Sequence, residues 1–131
     1  MIVVDSTVWI DYFRAVPNPH TNWLDRESAR QPLAITDLIL CEVLQVIRDD
    51  VMYRRVQRDL CRFTVFDSGG ATLATKAAAN YRLLRSKGFT IRSTIDSLIA
   101  TFCLSTGYSL IHRDRDFDCF ERVLGLQVVH P

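Results

Sequence analysis

The chain predicts an α/β fold of three layers, with a short, mostly parallel sheet covered by helices. Two observations carry that reading. Apolar runs of about three residues recur along the chain, and longer segments with apolar residues at helical spacing separate them. No Gly/Ser or Pro linker and no internal repeat interrupts the 131 residues, 48% of which are hydrophobic and 24% charged. One domain over residues 1–131 is expected, long enough to bury roughly two thirds of the unfolded chain's surface.

Each element follows from local chemistry. Residues 2–4 form the first strand, and Ser6–Arg14 a helix with Val8, Trp9, Tyr12 and Phe13 on one side. Pro17 and Pro19 break that helix, and a second covers about 20–30, ending near Pro32. Leu33–Ile35 is a strand, and Thr36 can cap a helix that runs to about Arg48. That helix is apolar nearly all round, which predicts burial. Asp49 can start another helix, reaching about Leu60, and Thr64–Phe66 is a third strand. After the loop Asp67-Ser-Gly-Gly, a long helix runs from Ala71 to Ser86 and stops at Gly88. Thr94–Ser105 is helical, with Ile95, Leu98, Ile99, Phe102 and Cys103 as one stripe, and Gly107 ends it. Ser109–Ile111, a helix over Phe117–Leu124 and a last strand at Gln127–Val129 complete the chain.

Composition excludes several classes. No window approaches 18 unbroken apolar residues, so no spanning helix and no membrane partner are expected. A secretory leader is absent, which makes the cytoplasm the expected compartment. Cys41, Cys61, Cys103 and Cys119 lie far apart without a CxxC pair, and are expected to be buried structural thiols. His20, His112 and His130 make no ligand pattern with them. A net charge of +1 argues neither for nor against nucleic acid. Arg54, Arg55, Arg58 and Arg62 recur at helical spacing, as a phosphate-binding face or an ordinary solvated one.

The carboxylates are the informative residues. Asp5 closes the first strand, where a charge needs a partner. Glu42 stands in the middle of the apolar segment LILCEVLQVI and loses hydration there unless compensated. Alternatively, it reaches a surface groove or a buried arginine. Asp96 lies at the edge of its helix's apolar stripe, although Ser93-x-x-Asp96 also reads as a capping box. Asp114 and Asp116 follow the strand SLI, where one of them can cap the next helix. In parallel sheets the carboxyl ends of the strands carry the site. An oxygen-only set of carboxylates gathered there, with no lysine nearby, suits Mg²⁺ or Mn²⁺ and not zinc.

VVDSTVWIDYF, ITDLILCEVLQVI, STIDSLIATFCLSTGYSLI and HRDRDF, in that order and spacing, resemble a PIN-domain ribonuclease of the VapC type, the toxin of a bacterial toxin–antitoxin pair. The resemblance spans essentially the whole chain. It implies Asp5, Glu42, Asp96 and Asp114 as catalytic, metal-binding residues, with Asp116 as a further supporting carboxylate. Ser6 and Thr7 match the hydroxyl residues that support the first aspartate. His112 departs from the family pattern, where threonine is common. One or two Mg²⁺ or Mn²⁺ ions, hydrolysis of RNA by metal-activated water, and 3′-hydroxyl and 5′-phosphate ends are implied. A tRNA or rRNA loop is the expected substrate, with Arg92, Arg113 and Arg115 holding its backbone. A homodimer and a cognate VapB-type antitoxin that covers the site are also implied.

Two other classes share parts of this pattern. An aspartate-based phosphoryl-transfer domain also places Asp at a strand end. A phosphatase of that kind wants a second Asp where this chain has Thr7, and a receiver wants a strand-end lysine that is missing. A non-catalytic PIN-like module, binding RNA or protein, would keep the fold and lose the metals.

Overall fold

A computed structural model describes residues 1–131. Four short strands, β1 (Ile2–Val4), β2 (Leu33–Thr36), β3 (Thr64–Phe66) and β4 (Ser109–Ile111), form one sheet in the order β3-β2-β1-β4. Every neighbouring pair is parallel. Val3 lies opposite Ala34 on one side and Leu110 on the other, and all three are fully buried. Burial on both faces explains why these strands read as continuous apolar runs with no polar alternation.

The helices are α1 (Ser6–Phe13), α2 (Pro19–Glu27), α3 (Asp37–Gln45), α4 (Asp50–Leu60), α5 (Gly70–Ser86), α6 (Thr94–Thr106) and α7 (Asp118–Leu124). α1 packs on α2 and α3, and α3 on α4, while α5 packs on α6 and α7. The sheet thus lies between two helical layers, as expected. Local signals set the helix ends. Asn18 caps α2 through a reciprocal box with Thr21, so Pro19 opens the helix at its first position, as well as closing the turn before it. Gly107 ends α6 with φ +75°, a conformation that costs a side-chain-bearing residue about 1 kcal/mol.

The strand order decides where a site can form. From β1 the chain winds outward to β2 and β3, then returns across β1 to place β4 on its other side. The carboxyl ends of β1 and β4 therefore flank a topological switch point, where a crevice opens. The Asp5 amide donates to the Ile111 carbonyl at 3.0 Å, extending the β1–β4 pairing up to the crevice.

Four expectations need correction. The strand expected at Gln127–Val129 shrinks to a single parallel bridge between Leu110 and Val128. Adjacent residues of a strand turn their amides to opposite edges, and Ser109 bonds back to Met1 while the Ile111 carbonyl serves Asp5. Only Leu110 offers both backbone groups outward, to the Gln127 carbonyl and the Val129 amide. Second, α3 buries one face only. Ile39, Val43 and Leu44 are in the core, whereas Cys41 and Val46 are exposed, because four helices share one face of a very short sheet. Third, Cys103 and Cys119 are the buried thiols expected, but Cys41 and Cys61 are exposed, the latter at the C-terminal cap of α4. All four are free. The last helix also begins later than expected, with a 3₁₀ turn over Arg115–Phe117 leading into α7.

Ile35 is fully buried at the centre of β2. Ile35→Ala is expected to cost about 2–5 kcal/mol and Ile35→Val about 0.5–1.5 kcal/mol, measured by urea unfolding.

Candidate metal centre

Asp5 leaves β1 at the crevice and caps α1. One carboxylate oxygen, Oδ2, accepts the Thr7 amide at 3.1 Å and the Thr7 hydroxyl at 2.7 Å. The other, Oδ1, is buried and has no hydrogen-bond partner, on a residue only 1% exposed. A buried carboxylate oxygen without a donor is costly, and a cation or a proton would relieve it. Thr7 also accepts the Arg113 amide at 3.0 Å through the same hydroxyl oxygen. This ties the loop after β4 to the residue that follows β1.

Glu42 enters from α3, where Ser6 Oγ donates to its Oε1 at 3.1 Å. Asp96 enters from α6, where only half of the expected capping box forms, since Ser93 caps the helix and the Asp96 carboxylate does not return the bond. Its amide donates to Ser93 Oγ at 3.3 Å as the third residue of the helix, while its side chain is buried in the crevice. Asp114 caps the 3₁₀ turn, accepting the Asp116 amide at 2.9 Å. Carboxylate oxygens of Asp96, Asp114 and Asp116 all lie within 4.8 Å of one another. None of the five acidic residues forms an ion pair.

The electrostatics follow from that geometry. Burial, with Asp5 and Asp114 next to it, pushes the Asp96 carboxyl up to about 8. Burial also raises Asp5, against the lowering effect of the Thr7 hydrogen bonds, with a further rise from Asp114. Glu42 rises through burial and through Asp5, partly offset by Ser6. Behind the carboxylates, burial and the Asp5 charge lift the Cys103 thiol to about 12, keeping it protonated and inert. Asp5, Glu42, Asp96 and Asp114 thus act on one another as a single group of like charges. Their donors are all oxygen, which fits a hard dication.

The basic residues separate. Arg113, itself exposed, is paired through its guanidinium with Asp11, which also accepts from Asn18 at 3.2 Å. Arg92 and Arg115 are exposed and form no ion pair. Arg54, Arg55 and Arg58 make an exposed face on α4, with Arg62 beyond its end 3.9 Å from Asp59. Sequence reasoning missed the Asp11 clamp. It also gave no role to His112, whose Nδ1 accepts the Asp114 amide at 3.1 Å. The i to i+2 spacing of His112 and Asp114 was the available signal.

With Asp96 raised in the folded state and ordinary when unfolded, folding takes up a proton between about pH 4 and pH 8. This contribution to stability is complete below the unfolded value and is lost as pH rises through about 8. The metal-free protein is therefore expected to melt at a lower temperature at pH 8 than at pH 6. Asp96→Asn should flatten that slope and raise the melting point at pH 8, by scanning calorimetry. An unchanged slope in the variant would contradict the assignment.

Residues 2–123 match the PIN domain family. Ribonuclease VapC11 of Mycobacterium tuberculosis is 33% identical over 131 residues, covering 97% of this chain and 96% of that protein. VapC ribonuclease Mb1587 of Mycobacterium bovis aligns with the same identity and coverage. Among solved structures, VapBC2 from Rickettsia felis, bound to a DNA fragment from its promoter, superposes with a TM-score of 0.77 at 19% identity, covering 98% of both chains. VapC20 of Mycobacterium tuberculosis, described as a sarcin-ricin loop cleaving toxin, gives 0.70 at 19% identity with all of both chains covered. From β1 to α7, the chain belongs to the VapC-type ribonucleases of the PIN domain family.

Proposed function

We propose that this chain is a Mg²⁺- or Mn²⁺-dependent endoribonuclease, the toxin of a toxin–antitoxin pair. The observation that carries this reading is the convergence of Asp5, Glu42, Asp96 and Asp114 on the crevice between β1 and β4, with Asp5 Oδ1 buried and unpartnered. Asp5, Glu42, Asp96 and Asp114 would hold the metal, with Asp116 able to join through its place beside Asp96 and Asp114. A bound dication supplies the positive charge that favours water attack on phosphorus and offsets charge on the leaving 3′ oxygen.

The chain's own residues do the positioning. Ser6 holds Glu42, and Thr7 holds both Asp5 and the loop that carries Asp114. Arg92 and Arg115, unpaired and exposed, would hold the RNA backbone, with Arg113, exposed and paired with Asp11, as a third candidate. The reaction needs no histidine base in this scheme. VapC20's described target suggests a structured RNA loop as the substrate here, since unstacked bases in loops can be read.

The partner is a VapB-type antitoxin, as in the VapBC complexes that share the fold. An apolar groove between α1, α3 and α4, about 230 Å³ and lined by Ile10, Phe13, Val43, Val46, Ile47 and Met52, offers that partner a seat. Arg14, Arg48 and Asp49 stand at the same groove, which suits an amphipathic segment with an apolar face and charged flanks.

Incubated with Mn²⁺ and free of antitoxin, the purified chain is expected to cut tRNA or rRNA and leave 5′-phosphate ends. Asp5→Asn and Asp96→Asn should each lower the rate by at least about 100-fold, the upper loss seen for outer-sphere partners of metal sites, with circular dichroism unchanged. Cleavage by either variant at the parent rate would overturn the metal assignment. A parent chain that cuts no RNA would favour a binding module instead.

A further inference from the structure

We propose that His112 is a positioning residue for the acidic site, through the hydrogen bond its Nδ1 accepts from the Asp114 amide. This rests on the reading of the acidic group as a metal site. The loop after β4 carries Asp114, and three short bonds set its path. The Arg113 amide donates to Thr7 Oγ1 at 3.0 Å, the Asp114 amide to His112 Nδ1 at 3.1 Å, and the Asp116 amide to Asp114 Oδ1 at 2.9 Å. The last of these is made by Asp114 itself. The first two are made to side chains outside the ligand group, and they hold two successive peptides, His112–Arg113 and Arg113–Asp114. Without them the Asp114 carboxylate keeps only its bond from the Asp116 amide, and the backbone that aims it is held on the downstream side alone.

The imidazole is well placed for this task. His112 is 8% exposed, and its ring lies 4.7 Å from that of Phe117, which is fully buried. A ring held against the core cannot turn away, so the acceptor nitrogen has a fixed direction. A nitrogen that accepts an amide proton carries none of its own, which places the ring proton on Nε2 in the neutral tautomer. Burial also lowers the affinity of this ring for a second proton, in keeping with that state.

An acceptor that takes the amide two residues on is the ordinary work of Asp, Asn, Ser or Thr at a turn. Here an imidazole does it, and adds an apolar body packed on Phe117 that those short side chains lack. The two contributions can be separated. Asn places its Oδ1 where Nδ1 stands, at the same distance along the side chain, but has no ring. Phe keeps a ring and has no acceptor. Leu is close to Asn in size and lacks the acceptor.

Manganese binding, followed by the loss of the free Mn²⁺ electron paramagnetic resonance signal, reads the site without any RNA. His112→Phe is expected to keep a melting temperature near the parent's and to weaken Mn²⁺ binding by about 10-fold, the scale of outer-sphere losses. His112→Asn should melt lower and still bind Mn²⁺ within about 3-fold of the parent, because the acceptor survives. His112→Leu should melt low and bind poorly, so the Asn–Leu pair decides the matter even if the Phe variant fails to fold. A purely structural role predicts the opposite ranking, with metal binding following the melting temperature. Equal Mn²⁺ affinity in the parent, Phe and Leu proteins, or an Asn variant as weak as Leu, would overturn the proposal. A parent that binds no Mn²⁺ would overturn the metal reading and this inference with it.

Discussion

Like charge held close together is the constraint from which the rest of this structure follows. Carboxylate oxygens of Asp96, Asp114 and Asp116 lie within 4.8 Å of one another, and two full charges at such a distance repel by about 3 kcal/mol at an effective dielectric near 20. Asp5 and Glu42 add to the same field. No lysine, arginine or histidine pairs with any of them. The fold must therefore hold the group against its own repulsion, and the answer is covalent and topological. Each member is placed by an element whose stability comes from elsewhere: β1 and β4 from the buried sheet, α3 from Ile39 and Val43, and α6 from its apolar stripe. Apolar packing of this kind offsets a local cost of a few kcal/mol, since burying one large side chain is worth about 1.5–3 kcal/mol.

Hydroxyl side chains supply the fine alignment. Ser6 and Thr7, adjacent in the chain, reach two different carboxylates, and Thr7 also receives the backbone of the β4 loop. Hydroxyls can donate to one group and accept from another, so Thr7 joins two strand ends in one contact. Asp5 is then satisfied on one oxygen and left open on the other. That asymmetry is what a metal ligand would need: one oxygen locks the rotamer, and the other stays open.

Much of this was legible in the sequence because each signal was local. The strands at 2–4, 64–66 and 109–111 and the long helix ending at Ser86 agree with the periodicity and the stop signals. Thr36 and Asp49 cap the helices they were expected to cap. The acidic residues were visible because strand-end Asp and mid-helix Glu are costly placements without a purpose. What the sequence hid was relational. The last strand failed because the free edge of β4 offers both backbone groups of Leu110 alone, which pattern cannot reveal. α3 is apolar on more faces than it buries, so Cys41 and Val46 reach solvent, and part of that surplus lines the groove with α1 and α4. Arg113 is exposed, and its pairing with Asp11, distant in sequence, could not be read from local pattern. The role of His112 needed the ring's contact with Phe117 as well as its spacing to Asp114.

The central claim is that a dication binds at the switch point, held by Asp5 after β1, Glu42 on α3, Asp96 on α6 and Asp114 in the loop after β4. Anomalous diffraction at the manganese edge, from crystals grown with Mn²⁺, tests it most directly. The account places a peak about 2.0–2.4 Å from Asp5 Oδ1, the range for oxygen on hard dications, with further ligands from Asp96 and Asp114. A peak elsewhere on the surface, with Asp5 Oδ1 still unpartnered in the occupied crystal, would contradict it.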